Sequence, residues 1–340
     1  MPDPSFDPDA PATRDDPLFG LPHSPEEAAV VVVPVPFDAT CSYRRGTADA
    51  PEAVLRASHQ VDLCDAQTGH PWRQGIAMEP VDPRIVTWNH RATTLARPVQ
   101  EAGGAHDPEL ISACQEVDEL CERVEAVVHS RAAAILDRGA IPAILGGDHS
   151  VPFGALRAAC DHAPGLGLLH VDAHADLREA YEGFRWSHAS ILFNALSHLP
   201  ALGPVVQVGV RDLGHRELEL ARSHPGIATW FDADLADELA AGTPWLHLVE
   251  RLLAPLPDQL WISFDADGLD PSLCPGTGTP VPGGLTWHQV LVLLRVLGQS
   301  GRHVVGFDLC EVGPGQWDAD VGARLLYKLS GWAIATRPTR

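Results

Sequence analysis

The stretch "GLGLLHVDAHAD" (residues 165–176) joins an apolar run to three polar side chains at alternating positions. Its first half is typical of a buried strand. Asp172, His174 and Asp176 then follow at every second residue. Because residues two apart in an extended chain point to the same side, these three side chains are expected to converge just beyond the end of the strand.

Similar apolar runs recur along the chain and alternate with helical patterns. The clearest helix is predicted over 115–139, where apolar residues recur at three- and four-residue intervals and Gly139 supplies a C-terminal stop. Such alternation predicts an α/β protein with a largely parallel sheet covered on both faces, in which ligands bind beyond the carboxyl ends of the strands. The other runs interpreted as strands are 29–36, 140–145, 205–210, 260–264 and 303–307, and the other helical stretches begin near Val151 or cover 235–253 and 286–298.

The remaining segments show less pattern. Residues 1–28 are rich in Pro and Asp and are predicted to form an N-terminal arm that is poorly ordered or lies on the surface. Residues 66–107 carry little periodicity and are predicted to be loops with short elements. No convincing linker interrupts the rest, so residues 29–340 are predicted to form one domain.

Composition limits the partners and the compartment. The formal charge of −21 over 340 residues argues against nucleic acid or an anionic membrane surface as a partner. The N-terminus lacks a signal-peptide pattern, and no apolar stretch reaches the length of a membrane span. The seven cysteines include no CxxC pair, which fits a reducing compartment. We therefore expect a soluble cytoplasmic protein.

Two further strand ends carry residues of the same type as those in 172–176. "GGDHS" (146–150) contains His149, and "DADGLDP" (265–271) contains Asp265 and Asp267. A single Asp or His at such a place is often a helix cap or a structural residue. In a pocket with four aspartates and two histidines, the carboxylates would instead repel one another and take up protons unless divalent cations were bound.

The residue types indicate which metal this pocket would hold. Four carboxylates and two imidazoles without a thiolate form an oxygen-rich set that favours Mn²⁺, although Co²⁺, Ni²⁺ and Fe²⁺ also fit. Six ligands exceed the needs of one ion that keeps an open position. Two ions that share carboxylates fit better, and such a pair activates water near neutral pH.

The three motifs, in this order, resemble the signatures of the ureohydrolase family, which includes arginase, agmatinase, guanidinobutyrase and formimidoylglutamase. The similarity covers about residues 30–335, with "PGTGTPVPGGLT" (275–286) and "GFDLCEV" (306–312) among the matching segments. The resemblance implies a three-layer arginase-type fold with an eight-stranded, largely parallel sheet, and a homotrimer or homohexamer. It also implies the metal ligands: His149 and Asp176 for one manganese ion, His174 and Asp267 for the other, and Asp172 and Asp265 as bridges.

The same resemblance assigns two catalytic roles. Glu311 matches the family's glutamate that pairs with a guanidinium group, and a carboxylate suits that planar set of N–H donors. His188 matches the family's histidine that is taken to transfer a proton to the leaving amine. Either residue could have a purely structural role, Glu311 as a surface charge and His188 at the start of a helix.

Substrate choice depends on residues just after the metal motif. Arg178 stands where arginase has an asparagine, and formimidoylglutamase is similar to this chain there. Arg178 could clamp a substrate carboxylate, or it could be an ion-paired loop residue. Around it, Tyr181, Phe184 and Trp186 either line the pocket or pack the loop, and Arg44 and Arg45 are further candidates for a carboxylate contact.

Three functions remain open at this point. The favoured one is a binuclear manganese amidinohydrolase that cleaves a guanidino C–N bond to urea and an amine. The second is formimidoyl hydrolysis, which gives formamide. The third is a non-catalytic metal-binding subunit.

Overall fold

The computed structural model describes residues 6–338, and these contain one eight-stranded sheet in which all neighbouring strands pair in parallel. The strand order is β2-β1-β3-β8-β7-β4-β5-β6. The strands are β1 (Val30–Val35), β2 (Ile76–Met78), β3 (Ile141–Gly146), β4 (Leu166–Val171), β5 (Leu202–Val210), β6 (Ile227–Phe231), β7 (Gln259–Asp265) and β8 (His303–Cys310).

Helices cover both faces of this sheet, so the protein has the three layers that the sequence predicts. The helices are α1 (Ala50–Ser58), α2 (Pro83–Glu101), α3 (Pro108–Asp137), α4 (Phe153–His162), α5 (Ile191–His198), α6 (His215–Ser223), α7 (Asp232–Ala240), α8 (Trp245–Leu253), α9 (Trp287–Gln299) and α10 (Gln316–Ala335). Buried side chains of α1 and α7–α10 pack on one face, and those of α2–α6 pack on the other.

The strands read as continuous apolar runs because both of their faces are buried. In β1, Val30 and Val32 belong to one core, whereas Val31 and Val33 belong to the opposite core. Each residue of such a strand therefore gains from burial, at about 25 cal/mol for each Å² of apolar surface removed from water. Among residues 6–338, no helix is both long and apolar enough to cross a membrane.

The prediction of loops over 66–107 is wrong for its second half, where α2 forms a helix of 19 residues. Asp82 caps this helix by accepting a hydrogen bond from the backbone N–H of Arg84, and Pro83 occupies the first turn, which suits its missing N–H. Only four residues of α2 are buried, two of them alanines. Because so few residues of α2 are buried, its apolar periodicity is too weak to predict a helix.

Two other boundaries also differ from the predictions. The helical stretch predicted over 235–253 is two helices, α7 and α8, separated by residues 241–244, which include Gly242 and Pro244. Helix α3 begins earlier than predicted because Asp107 accepts hydrogen bonds from two backbone N–H groups of its first turn. Its C-terminal stop is as predicted, with Gly139 at a φ of 74°.

Part of the expected N-terminal arm packs against the domain, while residues 1–5 lie outside the described residues. Leu18 and Phe19 are buried, and the Phe19 backbone N–H donates to Ser58 Oγ at 2.8 Å. The Phe19 ring also meets Tyr327 of α10 edge to face. The segment therefore contributes apolar side chains to the α1–α10 side of the core.

Candidate metal centre

The centre lies where four neighbouring strands, β3, β8, β7 and β4, end at the same edge of the sheet. Each of the predicted metal ligands, and Glu311, lies at the end of one of these strands or shortly after it, so the parallel pairing brings them together although they are far apart in sequence. The backbone must pass close to its neighbours here. A Cβ on Gly147 would meet the Phe37 carbonyl oxygen at 2.1 Å, so only glycine fits at that position.

His149 lies at the centre of three carboxylates. Its Nδ1 is 3.0 Å from Asp172 Oδ2, 3.2 Å from Asp176 Oδ2 and 3.2 Å from Asp265 Oδ2. All four side chains are buried. The first half of the predicted ligand set therefore converges on one point.

His174 marks a second group beside the first. Its Nδ1 is 3.1 Å from Asp267 Oδ2 and 3.4 Å from Asp172 Oδ1. Asp172 thus directs Oδ2 toward His149 and Oδ1 toward His174. Donor atoms of His149, Asp172 and Asp176 lie close enough to one another to hold a metal ion, and so do those of Asp172, His174 and Asp267. Asp172 therefore belongs to both groups.

The electrostatics are those of a site that needs positive charge. Burial and the charge of Asp172 raise the pKa of Asp176 to about 6, and burial together with Asp267 and Asp172 raises the pKa of Asp265 well above its usual range. Burial opposes protonation of His174, but the charges and hydrogen bonds of Asp267 and Asp172 together outweigh it and raise the pKa of that imidazole to about 12. The carboxylates therefore favour bound cations at this point.

The backbone is strained at two site residues. Asp176 has a φ of 53° and Glu311 a φ of 58°, both in the left-handed region that non-glycine residues avoid. Asp176 is held there because its carbonyl accepts the N–H groups of Leu192 and Phe193 in α5. Glu311 is held by its N–H, which donates to the Gly147 carbonyl at 2.8 Å. Strain of this kind is often found at functional sites.

Glu311 lies beneath the cluster rather than on the wall of the open cavity. Its carboxylate accepts a hydrogen bond from the backbone N–H of His149 at 3.2 Å and lies 3.9 Å from Cys41 Sγ. Burial raises its pKa well above the usual range, and the charges of Asp148 and Asp267 add to that. A cation beside Glu311 would favour its ionised form.

His188 lines a cavity of about 280 Å³ that opens above His174 and Asp176. Its backbone N–H donates to Thr40 Oγ1, and its Nε2 lies 3.5 Å from Ser42 Oγ. Burial lowers the pKa of His188 to about 4, and the charge of His174 acts in the same direction. The other residues around this cavity are Ser42, Tyr43, Arg178, Tyr181, Ala189, Asp212, Glu217, Thr279, Pro280 and Val281.

Arg178 lies at the cavity but is not free. Its Nε is 3.2 Å from Glu217 Oε2, and its guanidinium stacks over the Tyr181 ring at 4.6 Å. Glu217 is buried and also accepts the backbone N–H groups of Leu177 and Gly214. Arg178 therefore belongs to an organised ion pair on the cavity wall.

The neighbouring candidates have other roles. Phe184 is buried in the core, and the Trp186 ring packs on Phe153. Arg45 pairs with Asp38 at 2.7 Å, and Arg44 donates to the Pro275 carbonyl. None of these four lines the cavity.

Several residues of the site escaped the sequence prediction. Ser263 and Asp308 support His149 from below, since His149 Nε2 lies 2.9 Å from Ser263 Oγ, which donates to Asp308 Oδ1 at 3.0 Å. The alternation of β7 carried a signal for Ser263, two residues before Asp265 and on the same face. Asp212 and Glu217 follow the more distant strand β5 and had no motif to mark them.

The fold and the site together define a class of α/β proteins with a metal-binding cluster at the carboxyl edge of a parallel sheet. The Arginase family model matches residues 28–331, so the chain belongs to the Arginase family. The resemblance predicted from the three motifs is thereby confirmed.

The relatives support the same assignment. N(1)-aminopropylagmatine ureohydrolase of Thermus thermophilus is 36% identical over 320 residues, which cover 92% of this chain and 94% of that protein. Proclavaminate amidinohydrolase of Streptomyces clavuligerus is 30% identical and covers 91% of each chain. The crystal structure of agmatine ureohydrolase of Thermoplasma volcanium superposes with a TM-score of 0.71 at 25% identity, covering 94% of each chain. The chain is accordingly a hydrolase that acts on carbon–nitrogen bonds of linear amidines, and not the non-catalytic subunit considered above.

Proposed function

We propose that this chain is a binuclear, manganese-dependent ureohydrolase that releases urea from a guanidino compound whose far end carries positive charge. The observation that carries the two-metal proposal is the position of Asp172, whose two oxygens face His149 and His174. A shared carboxylate of this kind is the arrangement expected between two neighbouring ions. In this proposal His149 and Asp176 would hold one ion, His174 and Asp267 would hold the other, and Asp265, which the family resemblance assigns to both ions, would be shared.

The donor set fits divalent cations, because buried carboxylates that repel one another are stabilised by the added charge. Oxygen-rich ligation favours Mn²⁺. When bound, two such ions lower the pKa of water so that a nucleophile is available near neutral pH. The metal content of purified protein tests this assignment.

The protein's own side chains supply the other requirements. His188, whose buried imidazole is neutral near pH 7, is the proposed carrier of a proton to the departing amine. Glu311 is the proposed partner of the substrate guanidinium, whose charge would favour the ionised carboxylate. Its strained backbone and its bond to the His149 N–H fix the carboxylate beside the cluster.

The charges on the cavity wall favour a cationic far end of the substrate. Glu217 compensates Arg178, whereas the exposed carboxylate of Asp212 has no hydrogen-bond or ion-pair partner among residues 6–338. Beyond the cluster, the wall therefore carries one uncompensated negative charge. Tyr43, at the same cavity, is 71% exposed, and the Arg44 guanidinium lies over its ring at 5.4 Å, which shows that this ring can hold a planar cation. The printed name of the Thermus thermophilus relative, an aminopropylagmatine ureohydrolase, agrees with such a substrate.

A guanidino acid is the second candidate, and one observation favours it. Arg178 pairs with Glu217 through Nε, and its side chain is 38% exposed at the cavity. Its remaining N–H groups could therefore receive a substrate carboxylate without breaking the ion pair.

The test is a urea-release assay with Mn²⁺-loaded protein on agmatine, aminopropylagmatine, arginine, guanidinobutyrate and formimidoylglutamate. We expect the highest kcat/KM with agmatine or aminopropylagmatine. Asp212→Asn should raise KM for agmatine by about 2- to 5-fold with kcat unchanged, which is the effect of an exposed charge pair. Asp237→Asn, an exposed aspartate on α7, is the control and should change neither.

Two outcomes would contradict the proposal. If Asp212→Asn has no effect and Arg178→Ala raises KM for guanidinobutyrate alone, the substrate is a guanidino acid. Formamide from formimidoylglutamate, with no urea from any guanidino compound, would replace ureohydrolysis by formimidoyl hydrolysis.

A further inference from the structure

The His188 imidazole has few polar contacts of its own. Among the described residues, its Nδ1 has no hydrogen-bond partner, and its Nε2 lies 3.5 Å from Ser42 Oγ, at the limit of a hydrogen bond. The Tyr181 ring meets the imidazole edge to face, with 6.0 Å between the ring centroids. A group that transfers a proton must lie within hydrogen-bond reach of the atom that receives it. The position of the His188 backbone therefore decides where the imidazole can act.

The side chain of Thr40 holds that backbone. The His188 N–H donates to Thr40 Oγ1 at 3.0 Å, and the same hydroxyl donates to Asp148 Oδ2 at 2.8 Å. A hydroxyl has one proton and two lone pairs, and an ionised carboxylate only accepts, so both bonds can form at once. The exposed fraction of Thr40 is 1% and that of Asp148 is 0%, so water does not compete for these bonds.

Asp148 fixes the orientation of the Thr40 hydroxyl. Its Oδ2 also accepts the backbone N–H of Thr40 at 3.1 Å, and its Oδ1 accepts the N–H and the hydroxyl of Ser150. Bonds to both carboxylate oxygens leave this side chain little freedom to turn. Thr40 lies in the loop after β1 and Asp148 in the loop after β3, and these two strands are paired. Two neighbouring strands thus support His188, which follows the more distant strand β4.

We propose that Thr40 is a positioning residue for the reaction: its hydroxyl, oriented by Asp148, holds the His188 backbone where the imidazole reaches the departing amine. This inference rests on the proposed function, in which His188 carries a proton to that amine. Thr40 is not among the residues that line the cavity. Loss of its hydroxyl should therefore lower kcat and leave KM nearly unchanged, which is the effect of an interaction that matters in the transition state alone.

Thr40→Val tests the proposal because it removes the hydroxyl with little change in side-chain volume, whereas Thr40→Ser keeps the hydroxyl. Thr40→Ala serves the same purpose if Thr40→Val does not fold. The control is Thr68→Val, since Thr68 Oγ1 is also buried and has no partner among the described residues. For each variant, kcat and KM for urea release would be measured on the best substrate of the panel, together with the Mn²⁺ content.

We expect Thr40→Val to lower kcat by about 10- to 100-fold, the loss caused by a misplaced catalytic group, and to change KM by less than about threefold. Thr40→Ser and Thr68→Val should keep kcat within about threefold of the wild type. An unchanged kcat in Thr40→Val would overturn the proposal. Loss of bound Mn²⁺ from Thr40→Val would also overturn it, because Thr40 would then support the metal centre rather than His188.

A double-mutant cycle shows whether Thr40 acts through His188. In a His188→Ala background, Thr40→Val should lower kcat by less than about twofold, because the imidazole that Thr40 positions is absent. A loss in that background as large as the loss in the wild type would mean that Thr40 acts on another group, and the proposal would be wrong.

Hydrogen exchange tests the contact without any substrate. The backbone N–H of His188 should exchange faster in Thr40→Val than in the wild type or Thr40→Ser, because only Thr40→Val removes its acceptor. Unchanged exchange at His188 would contradict the role of Thr40 alone. Absence of urea from every guanidino compound with the wild type would contradict the proposed function itself, so the two failures are distinct.

Discussion

Replacing Ser263 by alanine should weaken metal binding at His149 while leaving the fold intact. His149 directs Nδ1 at the carboxylates, so a metal-bound imidazole must carry its proton on Nε2. That N–H then donates to Ser263 Oγ at 2.9 Å, and the hydroxyl donates to Asp308 Oδ1 at 3.0 Å. Ser263 therefore connects His149 to a buried carboxylate that fixes the orientation of the ring.

The size of the effect follows from what remains unpaired in the variant. Asp308 keeps the bonds from Trp261 Nε1 at 2.6 Å and from the Phe264 N–H at 3.2 Å. The group that loses its hydrogen-bond partner is therefore mainly the buried Nε2–H of His149. An unsatisfied buried donor costs about 1–3 kcal/mol. Since about 1.4 kcal/mol corresponds to tenfold in affinity, this is roughly 5- to 150-fold. Removal of a hydrogen-bond partner behind a metal-ligating histidine elsewhere costs about 10- to 100-fold, which agrees.

The measurement is a Mn²⁺ titration in competition with a chelator, with circular dichroism to confirm the fold. Ser330→Ala is the matched control, because Ser330 is also fully buried and its Oγ has no partner among the described residues. We expect Ser330→Ala to bind Mn²⁺ as the wild type does. If the Mn²⁺ affinities of Ser263→Ala also lie within about threefold of the wild-type values, the hydrogen bond from His149 to Ser263 does not support metal binding. A tenfold change in affinity corresponds to about 1.4 kcal/mol, so such a difference would be smaller than expected.

Two further predictions concern stability. Removing metal with a chelator should lower Tm, and Mn²⁺ should restore it, since each ion present at about 100 times its Kd adds about 2.7 kcal/mol to the free energy of unfolding; a Tm that does not respond to either treatment would contradict the metal assignment. Asp82→Asn should remove a contribution to the free energy of unfolding that depends on pH. The hydrogen bond from Arg84 lowers the pKa of Asp82 to about 2 from an ordinary value of 3.8. The ionised carboxylate therefore stabilises the fold above about pH 4 and loses that effect as the pH falls toward about 2. Because Arg84 is exposed, we expect about 1 kcal/mol between wild type and Asp82→Asn at neutral pH, measured by urea unfolding, and a difference that persists unchanged at pH 2 would argue against it.

The candidate metal ligands could be predicted because they lie in short sequence motifs. The alternation in "HVDAHAD" and the two neighbouring motifs placed six candidate ligands at strand ends. The rule that parallel strands bring their carboxyl ends to one edge then joined them. Expectations about cytoplasmic location, partners and a trimer or hexamer stay predictions.

The elements that escaped prediction are those with little buried surface. The two edge strands, β2 and β6, were not predicted as separate runs: β2 has three residues, and β6 is only half buried. Helix α2 buries few and mainly small residues. Local hydrophobic patterns are strong where an element is covered on both sides and weak at the margins of the fold.

The family, the central strands and a set of six candidate metal ligands could be predicted without a structure, because each depends on residues that are close together in the chain. How those residues are paired across the sheet depends on the packing of the folded chain. The fold places Glu217 against Arg178 and stacks His170 on His149, and it leaves the Asp212 carboxylate on the cavity wall with no hydrogen-bond or ion-pair partner among residues 6–338. These contacts join residues from different strands and loops, and their distances are fixed by the packing of the whole domain rather than by any local pattern.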